Sequence, residues 1–151
     1  MKKIIIILIS VISMYSVSAQ RYTDIYINDA NKVALSWLNN INHNQYENAY
    51  NLCSKEYKAE KPKEIWIAYY SELMLEFGNL ESRTVIQRYF QSQVEGMEDG
   101  FYVFVEYDCE YELTQEHKEI VVLKQNDQAS WRIDSWEYQF VSQEEEGKTK
   151  E

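Results

Sequence analysis

The twelve residues FYVFVEYDCEYE, Phe101–Glu112, decide the fold. Their odd positions are Phe101, Val103, Val105, Tyr107, Cys109 and Tyr111. From 106 onward the even positions are Glu106, Asp108, Glu110 and Glu112. Successive strand side chains point to opposite faces, so this period of two describes a strand with one apolar and one acidic face. A sheet that is wet on one side is antiparallel and needs a second layer over its dry side.

Working outward from that strand, Lys118–Lys124 reads as its hairpin partner, and Asn126-Asp127 sits in the next turn. Trp131–Phe140 reads as the last strand. Its apolar residues change phase, with Trp131 and Ile133 odd but Trp136, Tyr138 and Phe140 even. A bulge near Asp134 or Ser135 accounts for the shift. Upstream, Gly96 and Gly100 bracket a loop, and Arg83–Gln91 is the first strand.

Before Gly78 the period is that of a helix. Ala30, Val33, Ala34, Trp37, Leu38 and Ile41 form one stripe, on a helix capped by Thr23 or Asp24 and running to about Asn40. The run Asn39, Asn40, Asn42 and Asn44 breaks it. A second, shorter helix carries Tyr46, Ala49, Tyr50 and Cys53. Pro62 suits the first position of a third helix, whose stripe is Trp66, Tyr69, Tyr70, Leu73, Met74 and Phe77. Gly78 supplies a left-handed cap. The expectation is an α+β domain: three N-terminal helices packed on a curved four-stranded antiparallel sheet.

The chain opens with Lys2 and Lys3, an apolar run over 4–12, and Val17-Ser18-Ala19. That is the grammar of a cleavable signal peptide over 1–19, cut after Ala19. The apolar run is shorter than the roughly 20 residues a membrane helix needs. Removing 19 of 151 residues leaves 132: one domain over 20–141 and a charged, disordered tail over 142–151. The expected location is periplasmic or secreted. The net charge of −10 repels phosphate backbones and anionic membranes, which argues against nucleic acid as a partner.

Taken together, several stretches resemble the bacterial domain-of-unknown-function family 4019 (DUF4019). They are Ala34-Leu35-Ser36-Trp37-Leu38, Tyr46 with Tyr50, Trp66, Phe77-Gly78-Asn79-Leu80-Glu81-Ser82-Arg83, Gly100-Phe101-Tyr102-Val103 and Trp131-Arg132-Ile133. The chain departs from that pattern at Asn42-His43-Asn44, where an acidic residue is expected, and at Leu75-Glu76-Phe77, where a basic one is. The element order is similar to the nuclear-transport-factor-2-like (cystatin-like) cone. The resemblance implies an exported location and this fold. The wider fold hosts both enzymes and binding domains, so function must come from the site.

Several residue sets could carry chemistry. The ladder Glu106, Asp108, Glu110 and Glu112 could bind calcium or serve acid–base catalysis. It is better explained as a solvated face, with Glu112 opposite Lys118 and Glu106 opposite Lys124 across the hairpin. That register sets Cys109 against Val121 and Tyr107 against Leu123. His43 and His117, taken as exposed, do not show the short ligand spacing of a zinc site with the cysteines. No metal or cofactor is expected.

Cys53 and Cys109 are candidates for a disulfide in an oxidising compartment, or for two buried thiols. Trp37, Trp66, Tyr69, Tyr107 and Trp136 either line a ligand pocket or fill the core. Arg83 and Arg88 either give such a pocket a buried positive group or are surface or structural ion-pair partners. With no catalytic set evident, the leading expectation is a non-catalytic domain that binds a small molecule or a protein partner through the cone or the sheet face. The alternative is a small hydrolase or isomerase using an inward-facing carboxylate, for which Asp134 is the candidate. A third is an assembly module, a homodimer formed through the open sheet face.

Overall fold

The computed structural model describes residues 2–114 and 116–141, with side chains from residue 22 onward. Met1 and every side chain of the expected leader over 1–19 lie outside the described residues, as does the expected tail over 142–151. Helix α1 spans Lys2–Asn42. It shows no start at Thr23 or Asp24, in contrast to the expected cap. The physical reason is plain in the sequence, since residues 2–42 contain neither Gly nor Pro to interrupt the hydrogen-bond ladder. The expected stripe is the buried one: Ala30, Ala34, Trp37, Leu38 and Ile41.

Among the described residues there are four helices where three were expected. α2 (Tyr46–Leu52) is followed by the short α3 (Lys55–Glu60) and then by α4 (Lys63–Phe77). The break between α2 and α3 is tertiary in origin. Cys53 is extended and forms a parallel bridge with Ile133. The Ser54 N–H donates to the Ile133 carbonyl at 2.7 Å, and the Ser54 hydroxyl then caps α3 by accepting from the Tyr57 N–H at 2.9 Å. Pro62 is the residue before α4 rather than its first. Gly78 closes α4 with φ +76° and ψ −158°, its N–H donating to the Met74 carbonyl. Its φ is positive as expected, but its ψ lies outside the left-handed helical region.

Strands β1 (Leu80–Gln91), β2 (Tyr102–Tyr111), β3 (His117–Gln125) and β4 (Trp131–Phe140) form one antiparallel sheet in the order β1-β2-β3-β4. The bulge falls where the phase shift put it. Val122 opposes Ser135 and Leu123 opposes Ile133, leaving Asp134 as the extra residue. The hairpin register differs from the expected one. Lys118 faces Asp108 and Lys124 faces Tyr102, while Val121 faces Val105 and Leu123 faces Val103. The slip is four residues, an even number, so both faces keep their character.

The two expected lysine pairs with Glu112 and Glu106 are therefore absent. The acids still face outward, and three of them take neutral partners from β1 and the turn before it. Gln87 Nε2 donates to Glu106 at 2.9 Å. Ser82 Oγ donates to Glu110 at 3.0 Å, and Asn79 Nδ2 donates to Glu112 at 2.7 Å.

The core lies between the dry face of the sheet and α1, α2 and α4. Trp37 is its centre. Its ring meets Trp66 at 6.4 Å, Tyr70 at 5.6 Å and Trp136 at 6.1 Å. Edge-to-face packing of such rings adds about 0.5–1.5 kcal/mol per pair beyond the area they bury.

Candidate functional site

Two neighbouring rows of the sheet's dry face build the site. One row is Val85, Tyr107, Glu119 and Tyr138; the next is Arg83, Cys109, His117 and Phe140. Arg83 starts on the edge strand β1 and reaches over β2 to the Glu119 carboxylate on β3. Its Nη2 lies 3.0 Å from Oε2 and 3.2 Å from Oε1. The two side chains are 9 % and 0 % exposed. The same Nη2 donates to the Tyr111 hydroxyl at 2.7 Å, which donates on to Glu119 Oε1 at 3.0 Å. Trp136 Nε1 lies 3.4 Å from Oε2, and His117 Nε2 lies 3.5 Å from Oε1.

The electrostatics follow from this cage. Burial alone would push the Glu119 carboxyl up. The His117 hydrogen bond, the Arg83 charge and hydrogen bonds, and the Tyr111 hydroxyl outweigh it, so the carboxyl is held below its ordinary value. For Arg83, burial works against the charge, but Glu119, Tyr111 and Cys109 carry the net shift upward. At neutral pH the pair is ionised and carries no net charge. A carboxylate that is saturated and held below its ordinary pKa is a weak base, so Glu119 is built to hold a structure rather than to move a proton.

His117, expected at the surface, is buried at 1 % exposure. Its ring stacks on Tyr111 at 5.3 Å and 9°, and Phe77, Tyr138 and Phe140 close around it. It opens β3 on the inward-facing row, where a polar ring is satisfied by the Glu119 cage. His43 is exposed, with Nδ1 at 2.8 Å from the Asn39 carbonyl. Among the described residues, no three His, Cys, Asp or Glu side chains gather as metal ligands.

Above this network, α1 and β1 leave a groove of about 770 Å³. Its apolar lining is Leu35, Leu38, Leu80 and Val85; Ser36, Asn39, Asn42, His43 and Asn79 add polar groups, and Arg83 and Tyr107 come from the sheet beneath. The Tyr107 hydroxyl is buried and has no hydrogen-bond partner, whereas the Arg83 guanidinium is taken up by Glu119, Tyr111 and the Cys109 thiol. Tyr107 is 1 % exposed, and burial pushes its hydroxyl pKa up to about 12. A larger depression, about 940 Å³, lies between α3 and the turns at 98–101 and 125–128. Its lining includes Lys55, Glu56, Lys58, Glu98, Asp99, Lys124, Asp127 and Arg132, so it is a charged bay rather than an apolar pocket.

The five aromatic pocket candidates are not brought together around a cavity. Trp37, Trp66 and Trp136 are core. Tyr69 faces outward at 42 % exposure, with the Lys61 ammonium 4.6 Å over its ring. Only Tyr107 reaches the groove. Arg83 is buried in an ion pair, and Arg88 is exposed.

Cys53 and Cys109 are both free and buried, in contrast to the bond considered for them. Cys53 pairs with Ile133, in the row of Leu123 and Val103. Cys109 is six residues further along β2, a distance of roughly 20 Å, far beyond disulfide reach.

Asp134 occupies its bulge. Burial raises its carboxyl pKa against a lowering bond from Ser54, and its other neighbours are Lys124, Glu56 and Glu98. It is thus turned toward α3 and not toward the Glu119 cage.

The features that sequence periodicity left undetected are Glu119 and Tyr111 as partners of Arg83. One signal was present: Glu119 shares its strand parity with Val121 and Leu123, which places a charge on an apolar face.

The family described as "Protein of unknown function (DUF4019)" matches residues 33–136. No curated protein and no solved structure matches the chain.

Proposed function

We propose, from the premise that this chain belongs to the DUF4019 family, that it is an exported, non-catalytic domain that binds a small molecule in the groove between α1 and β1. One observation carries the binding half: the groove is lined by Leu35, Leu38, Leu80 and Val85, and with them lies a buried polar atom, Tyr107 Oη, that no protein group satisfies. Such atoms cost free energy when left unpaired and mark a place where a partner recovers it. The volume falls within the range of small-molecule sites. The residues over 1–19, with their basic start and short apolar run, support export.

A fragment screen read by amide chemical shifts tests the binding. Fragments should perturb Leu35, Asn39, Asn79 and Val85 together. Perturbations confined to the charged bay beside α3, or none at all, overturn the proposal. Export is tested separately by fractionation, with the mature chain beginning at Gln20.

A further inference from the structure

We infer that the α1/β1 groove selects a neutral, carbonyl-bearing ligand with an apolar body, the carbonyl oxygen accepting from the Tyr107 hydroxyl. This deepens the binding proposal and rests on it.

The charge balance decides the class. Arg83 would attract an anion if it were free, but Glu119 already lies against its guanidinium at 3.0 Å. The pair presents no net charge, and the chain as a whole carries −10, so an anion gains nothing on approach and meets a repulsive field. What the floor lacks is an acceptor. The Tyr107 hydroxyl can donate and has nothing to donate to. A neutral carbonyl supplies two lone pairs without bringing in a charge that must be desolvated.

The walls set the rest of the ligand. Leu35, Leu38, Leu80 and Val85 offer apolar surface, and Ser36, His43 and the Asn39, Asn42 and Asn79 amides add polar groups. The Tyr107 hydroxyl has no solvent contact as the groove stands, so a wall residue must turn aside on binding.

The test uses prodan, a neutral fluorescent ketone whose emission reports hydrogen bonding to its carbonyl. It is titrated into wild-type protein, Tyr107→Phe and Leu35→Trp, with the anionic dye anilinonaphthalene sulfonate as comparator. Expected are saturable prodan binding to wild type, binding weakened roughly 3- to 10-fold and blue-shifted in Tyr107→Phe, and loss in Leu35→Trp. Tyr107→Phe should melt no lower than wild type, because its hydroxyl has no protein partner to lose. If Leu35→Trp blocks prodan while Tyr107→Phe changes neither affinity nor emission, the groove stands and the carbonyl inference falls. If Leu35→Trp leaves binding intact, the dye sits elsewhere and both fall. Tighter binding of the anionic dye in the groove, or no prodan binding to wild type, overturns the ligand class.

Discussion

Arg83 on the edge strand and Glu119 two strands away are joined by a 3.0 Å ion pair whose side chains are 9 % and 0 % exposed. Each charge would be expensive to bury alone, and together with Tyr111, Trp136 and His117 they satisfy one another.

Breaking the pair should cost far more than removing it. Glu119→Leu strands a buried guanidinium and should destabilise by about 3–5 kcal/mol. The double variant Arg83→Met with Glu119→Leu should regain most of that. Urea denaturation measures both. A single variant losing under about 1 kcal/mol would show that the pair is not buried as described.

Acid should release the same contribution. The Glu119 carboxyl is held below its ordinary value of 4.5 in the folded chain, so in acid the unfolded chain binds the proton first. The stabilisation is fully present above the unfolded value and is lost as pH falls through the folded one. The stability difference between wild type and Glu119→Gln should therefore begin to shrink as the pH falls through 4.5 and go on shrinking below it. A difference that stays constant over that range contradicts the shift.

The two thiols should be inert while the chain is folded. Burial is the largest influence on each and pushes both pKa values up to about 12, which leaves almost no thiolate at neutral pH. A disulfide-exchange reagent should label neither Cys53 nor Cys109 natively and both in denaturant, and a reductant should leave the melting temperature unchanged. Rapid native labelling, or a melting point that falls with reductant, would refute the free, buried assignment.

Gly78 should be the least replaceable glycine. Its φ of +76° with ψ −158° is a region that only glycine populates comfortably. A Cβ there would also meet Leu113 Cγ at 2.8 Å and Glu112 Cβ at 3.1 Å. Gly78→Ala should cost about 2–4 kcal/mol. Gly96→Ala, also at positive φ but with nothing within 4 Å, should cost about 1 kcal/mol. Equal losses would remove the steric argument.

Periodicity made the layers legible. Phe101–Glu112 exposed its two faces, the stripe from Ala30 to Ile41 marked the packed side of α1, and the phase change between Ile133 and Trp136 located the Asp134 bulge. Alternation is blind, however, to any slip by an even number of residues. That is why the β2–β3 register differs from expectation by four positions while every face is right. The helical break at Cys53 was hidden because its cause is a bond to Ile133, eighty positions away. The site stayed hidden for a related reason: Arg83 and Glu119 meet only through the register that alternation leaves open.

The buried pair also guards that register. A sheet slipped by four residues would keep its dry face dry, but it would carry Glu119 roughly 13 Å along β2 from its present place. Arg83 could not follow, and two desolvated charges would be left without each other. Hydrophobic pattern admits several alignments of this sheet; the ion pair tolerates one, and so acts as a lock against misthreading whatever the groove above it holds.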